Sequence, residues 1–145
     1  MTNIDFSGLY DIRDMVPEDK NFILATFLRG LYYGDSWYSL IPKPVFMENY
    51  QILAEILLQK STVKVACLKE DHNIILGYSI LSPDFQTIHW VYVKDSKQPD
   101  GSGWRRHGIA RSLLPKYPTA ITHLTATGKK LMSKFPTAIY NPFAI

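Results

Sequence analysis
The sequence predicts one α/β domain of the α+β type, a mixed and mostly antiparallel central sheet flanked by helices. Three observations predict it. Two stretches with apolar residues at helical spacing, over 20–33 and 45–59, follow a short apolar strand. Three apolar strands come next, over 62–69, 74–81 and 87–94, joined by turns short enough to force antiparallel neighbours. A basic, glycine-containing turn then opens a third helix, and strand and helix alternate to the end. The 145 residues suit a single domain, 1–145, long enough to bury a real core.

Each element has a local cause. Residues 9–15 form the first strand, with Leu9, Ile12 and Met15 as its apolar points. Pro17, Glu18 and Asp19 start a helix with negative charge in its first turn, which suits the helix dipole. Over 20–33, Leu24, Phe27, Leu28 and Leu31 repeat at i, i+3, i+4 and i+7 and make a buried stripe, and Gly34 ends the helix. Residues 35–43 are a loop rich in Trp and Tyr. Pro44 fits the first turn of a second helix over 45–59. Its main apolar stripe is Phe46, Tyr50, Leu53 and Leu57, with Ile56 beside it. Glu70-Asp71-His72-Asn73 and Ser82-Pro83-Asp84 turn the chain between the three strands. Residues 95–103 hold Pro99 and two glycines with no apolar anchor, and are expected to be an exposed, mobile loop. Pro115 stops the third helix after about two turns. A strand over 120–125, a short helix over 127–135 and an extended piece over 138–145, broken by Pro142, complete the chain.

Composition narrows the class. Apolar residues make up 46% and charged residues 20%, which is globular rather than disordered. A net charge of +3 is too mild to argue for nucleic acid, and no RNA-binding or helix-turn-helix pattern accompanies it. Much of the excess sits at Arg105, Arg106, Arg111 and Lys116. Cys67 is the lone cysteine, so no internal disulfide forms, and a reducing cytoplasmic compartment is expected. Residues 1–14 lack a basic segment followed by an apolar one, so no secretory signal is expected. Nor is there an apolar stretch of about 18 residues to span a membrane.

The most informative run is Trp104-Arg105-Arg106-His107-Gly108-Ile109-Ala110-Arg111-Ser112-Leu113-Leu114, after the strand 88–93. A strand, a basic turn and a helix N-terminus together make a site for a diphosphate, because the first amides of a helix lack partners. Gly108 allows close backbone approach, and the arginines add charge. The plain alternative is an ordinary basic loop before a helix. There is no Walker loop, and Gly101-Ser102-Gly103 lacks the third glycine of a dinucleotide fingerprint.

The spacing Arg105-x-x-Gly108-x-Ala110 resembles the acyl-CoA signature of the GNAT acetyltransferases, (Gln/Arg)-x-x-Gly-x-(Gly/Ala). The order β-α-α-β-β-β-α-β-α-β is also theirs, from Leu9 to about Phe135. The resemblance implies a sheet that splays between strands 4 and 5. It places the pantetheine arm of acetyl-CoA against the backbone of Val91, Tyr92 and Val93. The diphosphate would then meet Arg105, Arg106, His107, Gly108, Ile109 and Ala110. It implies an N-acetyltransferase in which an amine, on a small molecule or a protein, attacks the thioester directly, with acetyl-CoA as cosubstrate and no metal. The chain departs from the pattern in a long link before Arg105, a short third helix, a last helix without the usual Tyr (Ser133 or Lys134 stands near that place), and little chain for a final hairpin. Those departures resemble GNAT-like phage proteins. They keep a second expectation open: a catalytically inactive GNAT-fold binding or structural protein of a virion, with virion proteins or a second copy as partners, in the host cytoplasm or the particle.

Acyl transfer needs a donor to the thioester carbonyl, a base for the amine and an acid for the thiolate. The amide of Tyr92 or Val93 is the implied donor. His89, on the fourth strand, is the first candidate base, since His titrates near neutral pH; the plain reading is a half-buried strand His with a backbone partner. His123, on the fifth strand, is the second. Tyr140 is a candidate acid if the C-terminal segment folds back, and otherwise part of a terminal turn. Asp35, Trp37 and Tyr38 lie where the fold covers its acceptor, so Asp35 would hold an amine and the rings grip it, or the rings simply pack on the sheet. His72 and His107 read as surface or anion contacts. No histidine pair has metal-ligand spacing. Cys67 alternates with Val63 and Val65 and reads as a buried structural thiol.

Overall fold
The computed structural model describes residues 9–94 and 108–145. The predicted loop over 95–103 and the three residues Arg105, Arg106 and His107 lie outside the described residues. The elements run β1 (Tyr10–Asp14), α1 (Lys20–Gly34), α2 (Lys43–Lys60), β2 (Thr62–Leu68), β3 (Ile75–Leu81), β4 (Thr87–Val93), α3 (Ile109–Leu113), β5 (Ala120–Ile121), α4 (Ala126–Lys134) and β6 (Ile139–Tyr140). All six strands join one sheet in sequence order. β1 to β4 pair antiparallel, and β4–β5 and β5–β6 pair parallel. The architecture is therefore the mixed, mostly antiparallel sheet with flanking helices that the sequence predicts.

The helices cover both faces. Leu24, Phe27, Leu28 and Leu31 of α1 are buried as a stripe, against Val63, Val65, Tyr78 and Ile80 of the sheet. Tyr10, Leu76, Leu81, Ile88, Val91 and Val93 face the other way and pack with Ile109 and Leu113 of α3 and Leu131 of α4. Burying an aliphatic side chain of this size stabilises by about 1.5–3 kcal/mol, so these two clusters hold most of the fold. Pro17–Asp19 forms a 3-10 turn leading into α1. There Asp19, 5% exposed, takes both guanidinium nitrogens of Arg13, at 2.6 and 3.1 Å, and the Val16 amide at 2.9 Å. Burial raises the Asp19 pKa, but the Arg13 and Val16 hydrogen bonds outweigh it and hold the carboxyl below its ordinary range. This pair fastens the end of β1 to the start of α1.

α2 corrects one expectation. Phe46 and Leu57 are buried as predicted, but Leu53 is 55% exposed and Ile56 42% exposed. Ala54 and Leu58 take the buried positions instead. The true face runs 46, 50, 54, 57, 58, which is as good a helical repeat. A small Ala lets α2 lie close to α1, and the larger Leu53 is turned outward.

The end of the chain is shorter in regular structure than predicted. α3 has five residues and β5 two, where a strand over 120–125 was expected. Thr122 N–H still bonds the Ile88 carbonyl at 3.1 Å. Beyond it the chain turns, because Thr125 becomes the N-cap of α4 and accepts the Gly128 amide at 3.3 Å. No helix among the described residues is long and apolar enough to cross a membrane.

Candidate functional site
β4 changes neighbours halfway along. Its pairing with β5 is confined to Thr87 and Ile88, opposite Ala120 and Ile121. Beyond Ile88 its strand pairing among the described residues is with β3, up to Val93 opposite Gly77. The sheet thus parts between strands 4 and 5, as the resemblance implied. The parting begins at a bulge. Ile80 lies opposite Trp90 and Leu81 opposite Ile88, so His89 is the extra residue. The bulge reverses the facing of the strand: Ile88, Val91 and Val93 share the α3 face, while Trp90 and Tyr92 pack toward α1. The Tyr92 ring stacks on Tyr78 with centroids 5.3 Å apart.

His89 is 4% exposed and reaches across the opening rather than into the core. Its Nδ1 lies 3.0 Å from Thr122 Oγ1. The same oxygen lies 2.8 Å from His123 Nδ1, and His123 Nε2 lies 3.4 Å from Tyr50 Oη. A continuous chain of polar groups therefore runs His89–Thr122–His123–Tyr50, from β4 through the residues just after β5 to α2. His89 and His123 line a cavity of about 10 Å³, the size of one water, with Trp90, Val91, Ile121 and Leu131. His123 and Tyr50 also line a larger cleft of about 80 Å³, open to solvent, with Asp35, Tyr38, Thr122 and Tyr140.

The electrostatics follow from burial. Desolvation, with a smaller contribution from His123, lowers the His89 pKa to about 4. Desolvation also takes His123 to about 4, against the opposing pull of the His89 backbone carbonyl and of Asp35. Both imidazoles are neutral at pH 7. Burial, and then Tyr38, push the Tyr50 hydroxyl far above its ordinary value, so it stays protonated.

Several predicted residues meet here. Asp35, Tyr38, His123 and Tyr140 line one cleft, and His89 joins them through Thr122. Trp37 does not, being 77% exposed; its backbone is held, the amide by Asp35 Oδ1 at 2.8 Å and the carbonyl by the Leu40 amide at 3.2 Å. Tyr140 sits in the cleft with Asp35, away from the cavity holding His89. His72 is exposed and bonds Asp11, 2.8 Å away. Cys67 is buried, as a structural thiol should be. Sequence reasoning missed Thr122 and Tyr50. A Thr beside a His on a strand carries no signal of its own, and Tyr50 reads as one more apolar point of α2.

Gly108 is the described part of the basic turn. It caps α3 with φ +76°, the left-handed region that favours glycine, and no atom of the described residues lies within 4 Å of where a Cβ would stand. Ile109 is fully buried, and Ala110 packs on the same cluster, so these two turn their side chains inward. A hydrogen bond from Ser79 Oγ to the Leu113 carbonyl at 2.8 Å, and another between Tyr10 and Ser112 at 2.9 Å, fix α3 to the sheet. A helix of five residues has little macrodipole, so any attraction for an anion rests on amides and neighbouring cations. Among the described residues no group of three or more His, Cys, Asp or Glu is gathered as a metal site would need.

No protein-family profile matches the chain, and no curated protein matches it. Solved structures similar to it include three chains. The apo form of YjaB from Escherichia coli is 17% identical over 88% of this chain and 67% of its own, with a TM-score of 0.44. A GCN5-related N-acetyltransferase, described also as an aminotransferase of class II, from Rhodopseudomonas palustris is 17% identical over 72% of this chain and 61% of its own, at 0.46. A possible acetyltransferase from Clostridium difficile 630 is 15% identical over 94% and 83%, at 0.46. The chain thus spans about two thirds of the length of the first two.

Proposed function
We propose that the chain is an N-acetyltransferase that moves an acetyl group from acetyl-CoA to an amine by direct attack. The observation that carries this reading is the parting of β4 and β5 beside two buried, neutral histidines. A strand that loses its neighbour leaves an edge for an extended ligand to pair with, here along Val91 and Tyr92. Gly108 supports the reading, because its open, left-handed position leaves room for a diphosphate at the backbone of Gly108, Ile109 and Ala110. Arg105, Arg106 and His107 would complete that cradle by charge.

The chemistry assigns the two sides of the opening. An acceptor amine enters the cleft lined by Asp35, Tyr38, His123 and Tyr140, where Asp35 holds its ammonium form. The thioester lies along the edge of β4, near His89. Both imidazoles are neutral at pH 7 and keep a lone pair for a proton, but at a pKa of about 4 each is a weak base that must pass a proton on rather than hold it. Tyr140, once a candidate acid for the thiol, becomes a wall of the acceptor cleft.

A second reading has its own observation. β5 and β6 are two residues each and α4 supplies no Tyr, which favours a binding or structural protein that has lost the chemistry. A thermal-shift titration with acetyl-CoA and with CoA tests both readings. Ligand at about 100 times its Kd stabilises by about 2.7 kcal/mol, a clear shift in a domain of this size. No shift removes both. A shift without thiol release across a panel of amines removes the enzyme and leaves the binding protein.

A further inference from the structure
The two histidines, the threonine between them and Tyr50 constrain one another more tightly than four separate side chains would. The Thr122 hydroxyl has one proton. It lies within hydrogen-bonding distance of Nδ1 on both His89 and His123, at 3.0 and 2.8 Å. It can donate to only one of them and must accept from the other. The rings are therefore in opposite tautomers, whichever way the chain points. When His89 carries its proton on Nδ1, His123 carries its own on Nε2 and donates to Tyr50. When the direction reverses, His123 carries Nδ1–H, Tyr50 donates to His123 Nε2, and His89 carries its proton on Nε2. Among the described residues, His89 Nε2 has no hydrogen-bond partner, so the chain is open at that end.

We propose that Tyr50, His123, Thr122 and His89 form one proton relay that joins the solvent-open cleft to the cavity beside the parted strands. The two ends lie in different spaces: Tyr50 lines the cleft with Asp35 and Tyr38, and His89 lines the cavity with Trp90 and Val91. Acetyl transfer releases a proton on one side and consumes one on the other; what the relay carries rests on the acetyltransferase reading above. The ammonium first gives one proton to solvent in the open cleft; the neutral amine nitrogen then bonds to the thioester carbon, the carbon–sulfur bond breaks, and its electron pair leaves with sulfur. The amine proton passes to Tyr50 Oη as the Tyr50 proton moves to His123 Nε2. The Nδ1 proton of His123 moves to Thr122, the Thr122 proton to His89 Nδ1, and the Nε2 proton of His89 to the thiolate. Every member starts and ends neutral. Burial disfavours charge at His89, His123 and Tyr50 alike, which suits a shift of hydrogen bonds and opposes a stored charge. The Tyr50–His123 contact, at 3.4 Å, is the long link, and it is the one that an acceptor filling the cleft would shorten.

Imidazole nitrogen NMR on the full chain tests the relay without any turnover. The expected result is that the Nδ1–H populations of His89 and His123 sum to one and move together when the temperature changes. Thr122→Val should uncouple them and Thr122→Ser should restore the coupling; Thr122→Ser and Tyr50→Phe keep the test open if the valine variant does not fold. Both rings in the same tautomer in the wild type would overturn the relay. Single-turnover acetyl transfer supplies the second arm. Thr122→Val and Tyr50→Phe should slow the chemical step on the order of 10²-fold with acetyl-CoA affinity unchanged, and Thr122→Ser should recover most of the rate. His89→Gln combined with His123→Gln should cost no more than the worse single change, because one broken link stops the chain. A full rate in Thr122→Val overturns the relay. Absence of transfer by the wild type with every amine overturns the acetyltransferase reading instead, and the tautomer measurement still decides whether the four groups act as one chain.

Discussion

At the scale of single residues, Gly108 and the buried histidines show how one backbone angle or one hydrogen bond decides what a site can do. Gly108 stands at φ +76°, and no atom of the described residues lies within 4 Å of where a Cβ would stand. Gly108→Val should therefore leave the described fold intact apart from local strain of about 1–2 kcal/mol. What the valine fills is the space a diphosphate would need. Calorimetry should show acetyl-CoA binding abolished in Gly108→Val while the thermal midpoint falls only a few degrees. Unchanged affinity would take the diphosphate away from this turn. The residue scale is also where the sequence was least legible. Thr122 lies 33 residues from His89, and Tyr50 lies 73 from His123. Only the parallel pairing of β5 beside β4 and the placing of α2 over the sheet bring them together. Asp35 and Tyr38 were singled out because the resemblance places the loop between the two helices over an acceptor, and both do line the open cleft.

At the scale of elements, the long and periodic ones were legible and the short ones were not. The stripe of α1 and the three antiparallel strands follow from apolar repeats that the core then buries. α2 exposes the limit of that logic. Leu53 and Ile56 are more apolar than Ala54, yet packing against α1 selects the small residue. β5 was overlong in prediction because Thr122-His123-Leu124-Thr125 alternates like a strand. Those side chains serve the parting instead: Thr122 and His123 bond across it, and Thr125 caps α4. This makes the start of α4 a sensitive joint. A Cβ on Gly128 would land on the carbonyl oxygen of His123. Gly128→Ala should therefore destabilise the domain by about 1–3 kcal/mol even though alanine favours helices, because the backbone under His123 must move. Urea denaturation measures the loss, and the His123 ring resonances should shift with it. A neutral or stabilising substitution would mean that α4 can slide away from β5 without cost.

At the scale of the whole molecule, the buried histidines tie the stability of the sheet to pH. Each has an ordinary pKa near 6.5 in the unfolded chain and about 4 in the folded one. The unfolded state therefore binds more protons than the native state wherever the pH lies below 6.5, and stability falls with the pH there. The contribution is complete above pH 6.5 and is lost progressively as the pH drops toward 4. A shift of this size is worth on the order of 3 kcal/mol for one ring. The two rings share Thr122, so the second adds less than the first. Against a typical domain stability of about 5–15 kcal/mol, that is a large fraction. The Arg13–Asp19 pair acts in a separate window. The Asp19 carboxyl is held below its ordinary value of 3.8, so its contribution persists until the pH falls beneath that. Urea midpoints should accordingly decline between pH 6.5 and 4, before the Asp19 carboxyl is protonated. His89→Gln and His123→Gln should each lower the midpoint at pH 7.5 yet flatten its dependence on pH, because glutamine has no proton to gain on unfolding. A midpoint that holds steady from pH 7 to 4.5 in the wild type would mean that the imidazoles can charge inside the fold, and that water reaches the parting of β4 and β5 more freely than their burial implies.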